Sequence, residues 1–334
     1  MASFRDLCFT PSEFANIARV DRGLIPELEV QGFLKTFKRR VGNVERKMIR
    51  LEDMQHYFQA IRHLPATPDS MVATATIPTV PTAPKFKIQM FYNVKGGTGK
   101  STLTAQYVMR CAMLGFKVLA IDLDGQGHLT VNLDILDGHE RPTVYDVLIN
   151  DLPINEAIMN VAPGLDLIPA SLGLCNIEIP LNNKPRREYR LSEAIEKIAG
   201  SYDLIVADTN PAASILNCSM LVAADLVNVV CATNPLSFHG MSLVMATIEE
   251  MEREFRRKLE VRIVPNLYDN REVISQEVLG ELRSQFTQHC TKVVINRCAD
   301  LNEATKRRTA VWDVNSKGIA AHDINTLTEE LLLN

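Results

Sequence analysis

From residue 85 onward the chain alternates short runs rich in Val, Ile and Leu with longer stretches whose apolar residues recur at helical spacing. The short runs, 86–92, 117–121, 165–168, 204–207, 226–231 and 261–264, are apolar almost throughout. That pattern predicts strands buried on both faces. Between them, 103–114, 191–199, 241–258 and 272–287 read as amphipathic helices. Strand, helix, strand at this spacing implies right-handed crossovers, and so a doubly wound α/β domain with a mostly parallel sheet. Ligands of such sheets bind beyond the carboxyl ends of the strands.

The pattern breaks at 65–84, which holds prolines at 65, 68, 78, 81 and 84, five threonines, one charge and no aromatic residue. A stretch of this composition cannot bury a core and reads as an extended Pro/Thr-rich linker. It divides a small unit, 1–64, from a large one, 85–334. In the small unit, 9–18 opens with a helix-start signal at Thr10, and 24–32 reads as a turn and second helix. Residues 35–50 follow, with seven Lys or Arg against one Glu.

Composition narrows the classes further. Hydrophobic residues at 46% and charged residues at 23% exclude a disordered, collagen-like or coiled-coil chain. The net charge of −4 means that any nucleic-acid site must be a local patch rather than a global field. Seven scattered cysteines without a CxxC pair read as reduced core thiols. The amino terminus lacks the apolar stretch of a signal peptide and no run approaches a membrane span, so a cytoplasmic location is expected.

The chemistry lies in the loop after the first strand, Asn93-Val94-Lys95-Gly96-Gly97-Thr98-Gly99-Lys100-Ser101-Thr102. Its glycines let backbone N–H groups turn toward phosphate oxygens, and the following helix end adds partial positive charge. Lys100 then reaches the β- and γ-phosphates, and the Ser101 hydroxyl is a Mg²⁺ ligand. At background residue usage such a run arises in about one chain in ten thousand. The ordinary phosphate loop has glycine where this chain has Val94, and a second lysine, Lys95, stands beside it.

KGGTGKST resembles the deviant Walker A motif of the ParA/MinD superfamily of dimeric P-loop ATPases. The resemblance implies ATP and Mg²⁺ as cofactors, contacts to the nucleotide from Gly96, Gly97, Thr98, Gly99, Lys100, Ser101 and Thr102, and a homodimer in which Lys95 reaches the partner's ATP. Residues 117–127 are similar to the family's switch segment, so Asp124 would position the attacking water and Asp122 would lie near the metal. Gly125 stands where the family usually carries proline, and a looser switch is expected. Residues 202–211 resemble the Walker B segment, and the resemblance implies that Asp208 holds the metal through water. In 264–271, similar to the family's LTxYDxR stretch, Asn266 would contact adenine. Residues 315–322 look like the signature that opens the last helix. The likeness spans 85–334 in family order.

Within the superfamily, the acidic ending 327–334 argues against the membrane-anchored branch, and Cys218 and Cys231 lack the context of the iron–sulfur branch. Residues 1–64 resemble the small, α-helical winged helix-turn-helix domain of large plasmid ParA proteins and of RepA proteins of repABC plasmids. Lys35, Lys38, Arg39, Arg40, Arg46 and Lys47 would then contact DNA phosphates, and Arg271 with Lys306, Arg307 and Arg308 would form a nonspecific DNA face on the ATPase. Asp300 stands where the family often has a basic residue. The expected function is an ATP-hydrolysing, nucleoid-associated DNA-segregation protein with a ParB-like partner and an operator of its own. Two alternatives stay open: a relative that positions a protein cargo, and an ATP-binding transcriptional regulator without useful hydrolysis.

Overall fold

The computed structural model describes residues 4–42, 44–62, 81–212 and 214–333. Most of the expected linker, 65–80, lies outside the described residues. In the amino-terminal unit, Thr10 caps the helix Pro11–Ala18 through a reciprocal pair with Glu13. A short helix Ile25–Val30 follows. The basic run is not helical. It forms a hairpin of β2 (Phe37–Val41) and β3 (Val44–Arg50), and β3 also pairs with β1 (Cys8–Phe9) in one antiparallel sheet. The unit expected to be α-helical is therefore mixed, closing with the helix Leu51–Arg62.

The large unit is built on seven strands: β4 (Ile88–Tyr92), β5 (Val118–Asp122), β6 (Met159–Ala162), β7 (Leu165–Ile168), β8 (Leu204–Asp208), β9 (Leu226–Ala232) and β10 (Glu260–Asn266). Their order is β10-β9-β4-β8-β5-β7-β6, parallel except for β6, which runs antiparallel to β7 at the edge. Side-chain alternation sorts each strand between two cores. Val118 and Ala120 of β5 join Leu204 and Val206 of β8 on one face, and Leu119 and Ile121 join Ile205 and Ala207 on the other. This is the two-sided burial that continuous apolar runs require.

The two units share the first of these cores, since Phe14, Ile17 and Phe58 belong to the same cluster as Tyr107 and Trp312. Polar contacts reinforce the junction. Gln55 Nε2 donates to the carbonyls of Ala112, at 3.0 Å, and Pro163, at 2.7 Å. Arg110 Nη2 donates to Ile17 O at 3.1 Å, and Arg19 pairs with Glu329 at 2.9 Å. The thiols are all free, but only Cys111 and Cys231 are buried, and Cys175 is exposed. No helix among the described residues is long and apolar enough to cross a membrane.

Candidate nucleotide site

β4 delivers the chain into the phosphate loop, and the helix Lys100–Met113 takes it away. Gly97 and Gly99 have φ of 73° and 89°, conformations that side-chain-bearing residues rarely adopt. Gly99 also has no room for a Cβ, which would stand 2.3 Å from Asn266 Nδ2. Asn93 pins the loop's entry: its Oδ1 accepts from Lys95 N at 2.9 Å and its Nδ2 donates to Val230 O at 2.7 Å. Lys100 Nζ donates to Lys95 O at 3.2 Å. Residues 96–102 line a cavity of about 370 Å³ together with Asp124, His128, Pro211 and Thr305.

Adjacent strands bring the carboxylates to the loop. In the β5–β8 register Asp122 stands opposite Asp208. Asp122 Oδ2 accepts from Thr130 N at 2.8 Å and Thr130 Oγ1 at 2.7 Å, and its Oδ1 accepts from Asp124 N at 3.1 Å. Complete burial raises its pKa to about 6 against these hydrogen bonds. Asp208 is pushed further, to about 8, first by burial and then by the charge of Asp122, while the Ser101 hydroxyl pulls the other way. Burial lowers Lys100, opposed by the charges of Asp208 and Asp124. Buried carboxylates that hold protons near neutrality are short of positive charge. Asp208 Oδ2 and the Thr98 hydroxyl are buried without a hydrogen-bond partner. Ser101 and Asp208 fit a Mg²⁺ that arrives with phosphate oxygens, since this ion keeps waters and takes only one or two carboxylates.

Asn266 has a structural task that its sequence position did not reveal. Its Nδ2 donates to Thr98 O at 2.7 Å, holding the loop from below, which leaves its buried, unpartnered Oδ1 and one N–H for a base. Lys95 is half-buried, and a Cβ on Gly240 would meet its Cε at 3.2 Å, so its stem lies against the junction of the helices Pro235–His239 and Met241–Phe255. Arg271 is committed to Asp269 through two bonds of 2.8 and 2.6 Å. Arg307 pairs with Glu303 and Arg308 with Asp134, while Lys306 is exposed. Asp300 accepts from Asn315 Nδ2 at 3.1 Å and so secures the turn before the last helix. Lys35, Lys38, Arg39, Arg40, Arg46 and Lys47 are all exposed on or beside the hairpin. Sequence reading missed His128, Thr130, Pro211 and Thr305. His128 and Thr130 carry a signal because they follow the switch segment, and Pro211 because it ends the Walker B-like segment, whereas Thr305 carries none.

A family model described as an AAA domain matches residues 86–261. The cell division protein PomZ of Myxococcus xanthus is 32% identical over 271 residues, 80% of this chain and 84% of that protein. The chromosome partitioning protein ParA of Caulobacter vibrioides is 33% identical over 69% of this chain and 88% of its own length. Among solved structures, a cobyrinic acid a,c-diamide synthase from Mycobacterium smegmatis with bound ATP analog and magnesium is 29% identical, with a TM-score of 0.57 over 60% of this chain and 82% of that one. A Borrelia burgdorferi plasmid partition protein bound to AMPPNP, 20% identical with a TM-score of 0.59 over 73% and 97%, shares the fold. With the phosphate loop, the two carboxylate strands and these relatives in agreement, the chain belongs to the ParA family of partition ATPases.

Proposed function

We propose that the chain is an ATP-dependent DNA-partition ATPase whose Mg-ATP form is a dimer that holds DNA. The observation that carries this reading is that Lys100, Ser101 and Asp124 line one phosphate-loop cavity while Asp208, buried behind it against the Ser101 hydroxyl, lacks a matching cation. Lys100 would leave the Lys95 carbonyl for the β- and γ-phosphates. Asp124, 9% exposed and held by Gln126 N at 3.0 Å, would orient water in line with the γ-phosphorus. The new P–O bond replaces the bond to the β–γ bridging oxygen, leaving ADP and inorganic phosphate. Mg²⁺ held beside Ser101 and Asp208 supplies charge stabilisation when bound.

Lys95 would act on the partner's nucleotide, so that occupancy favours the closed dimer and hydrolysis releases it. In each subunit, Lys306 with its neighbours and the hairpin would contact phosphates. Two helices followed by a basic hairpin support a winged helix-turn-helix reading of the amino-terminal unit, with an operator as its target. Stimulation by a ParB-like protein and association with the nucleoid belong to the same reading. The test is ATP turnover by wild type and Lys100→Ala with and without duplex DNA, alongside light scattering. Slow Lys100-dependent hydrolysis and an ATP-induced dimer are expected. Dimer formation without any Lys100-dependent hydrolysis would favour the regulator instead.

A further inference from the structure

Glycine in place of the family's proline at position 125 suggested a loose switch, but the structure shows a filled one. Gly125 is buried. A Cβ there would stand 2.5 Å from Cys175 Sγ, 3.0 Å from Cys175 N and 3.5 Å from Ser171 O. The sulfur occupies the space that a side chain at 125 would need. Moving the thiol would clear the first contact, whereas the second is backbone and cannot swing away.

The segment that makes these contacts leaves the end of β7 and forms the short 3₁₀ helix Leu172–Asn176. It grips the switch at a second point as well. Ala170 N donates to Thr130 Oγ1 at 3.0 Å, and that hydroxyl donates to Asp122 Oδ2 at 2.7 Å. Between the two grips the chain turns at Gly127, φ 65°, whose N–H donates to Asp124 O at 2.8 Å. Asp124 is thus flanked by a packing contact at the next residue and a hydrogen-bonded clamp six residues on.

We infer that Gly125 is a positioning residue for hydrolysis: by admitting Cys175 it lets the 170–176 segment seat on the switch and hold Asp124 at the phosphate cavity. This rests on the role given to Asp124 above. A displacement of about 1 Å at a reacting group can cost 10²-fold in rate, so a small shift at 125 is enough to be read.

The experiment compares wild type, Gly125→Ala, Cys175→Ala and the double variant by steady-state ATP turnover, by binding of a fluorescent ATP analogue, and by amide exchange across 124–130. Gly125→Ala is expected to lower kcat by about 10- to 100-fold while analogue affinity stays near wild type. The double variant should recover part of that loss, because the sulfur is gone while the contact with the Cys175 backbone N remains. Cys175→Ala alone should speed exchange at 125–127 by opening the packed space. Full turnover in Gly125→Ala, or a double variant no faster than the single one, would overturn the inference. If Gly125→Ala does not fold, unchanged exchange in Cys175→Ala overturns it and faster exchange supports it. Absence of hydrolysis in wild type would instead sink the ATPase reading, and the exchange data would still judge the packing.

Discussion

The Lys100 ammonium rests on the carbonyl of Lys95, 3.2 Å away. The loop's two lysines therefore differ in kind. Lys100 is turned inward and 6% exposed, with Asp208 and Asp124 favouring its charge, while the Lys95 stem lies over Gly240. Lys100→Ala should abolish ATP binding. Lys95→Ala should bind ATP but fail to dimerise on it, with kcat lower by about 10³-fold, the smaller end of what a trans-acting cation contributes. Light scattering with ATP analogue checks the pair, and a normal dimer in Lys95→Ala would remove the trans role.

Protons on the buried carboxylates link nucleotide to stability. An unfolded aspartate loses its proton near 3.8, whereas Asp208 keeps it to about 8 and Asp122 to about 6 in the nucleotide-free protein. Across that window the native state binds more protons than the unfolded one, so stability is greatest at low pH and is lost as pH rises through the folded values. One excess proton is a slope of about 1.4 kcal/mol per pH unit. Between about pH 6 and 8 the Tm of free protein should therefore fall by roughly 2–4 °C per unit. Asp208→Asn should flatten the profile, and Mg-ATP should stabilise more at the alkaline end. A scanning-fluorimetry series across pH reads all three, and a flat wild-type profile would contradict the raised acids.

Arg110 joins three elements. Only 1% exposed, it donates to Ile17 O and lies 5.7 Å from the Phe58 ring centre and 5.4 Å from that of Trp312. Burial brings its pKa down to about 10, opposed by the charge of Glu329. Arg110→Ala opens a cavity and leaves a carbonyl without its donor, a loss of about 3–5 kcal/mol. Arg110→Met fills the space without a buried charge and should lose less. Because the core is continuous, wild type should melt in one transition, while Arg110→Ala should let protease clip the amino-terminal unit first. Two separate wild-type transitions would show that the units are energetically independent.

The phosphate loop was legible because its chemistry is contiguous: one loop of ten residues carries the glycines, both lysines and Ser101. The six short apolar runs were legible as strands for a similar reason, since burial on both faces leaves an unbroken signal. β6 was not, because a four-residue edge strand reading Met-Asn-Val-Ala, with only Val161 and Ala162 buried, has neither an apolar run nor clean alternation. The facing of Asp122 and Asp208 depends on which strands are neighbours, and Asn266 beneath Thr98 on a contact spanning 168 residues. Docking of the amino-terminal unit works through Gln55 and Arg110 donating to carbonyls, and such polar contacts leave no trace in periodicity.

The hairpin carries a conflict that makes it testable. Arg39 stands opposite Arg46, and Lys38 opposite Lys47. Like charges directly opposed destabilise a strand pair by roughly 0.2–1 kcal/mol. Lys38 is relieved by Glu45 at 3.4 Å and Lys47 by Glu29, but among the described residues no carboxylate pairs with Arg39 or Arg46. A polyanion would relieve that repulsion, and folding alone gains nothing from it. Arg46→Gln should therefore raise stability by a few tenths of a kcal/mol while weakening DNA binding. If Arg46 meets one phosphate, the slope of log affinity against log salt should shrink by about 0.9. Arg271→Gln is the control. Its guanidinium already holds Asp269 through two bonds, so its loss should move the slope far less. Anisotropy titrations of labelled duplex at several salt concentrations measure both. An unchanged slope in Arg46→Gln beside a reduced one in Arg271→Gln would move the phosphate footprint from the hairpin to the ATPase face.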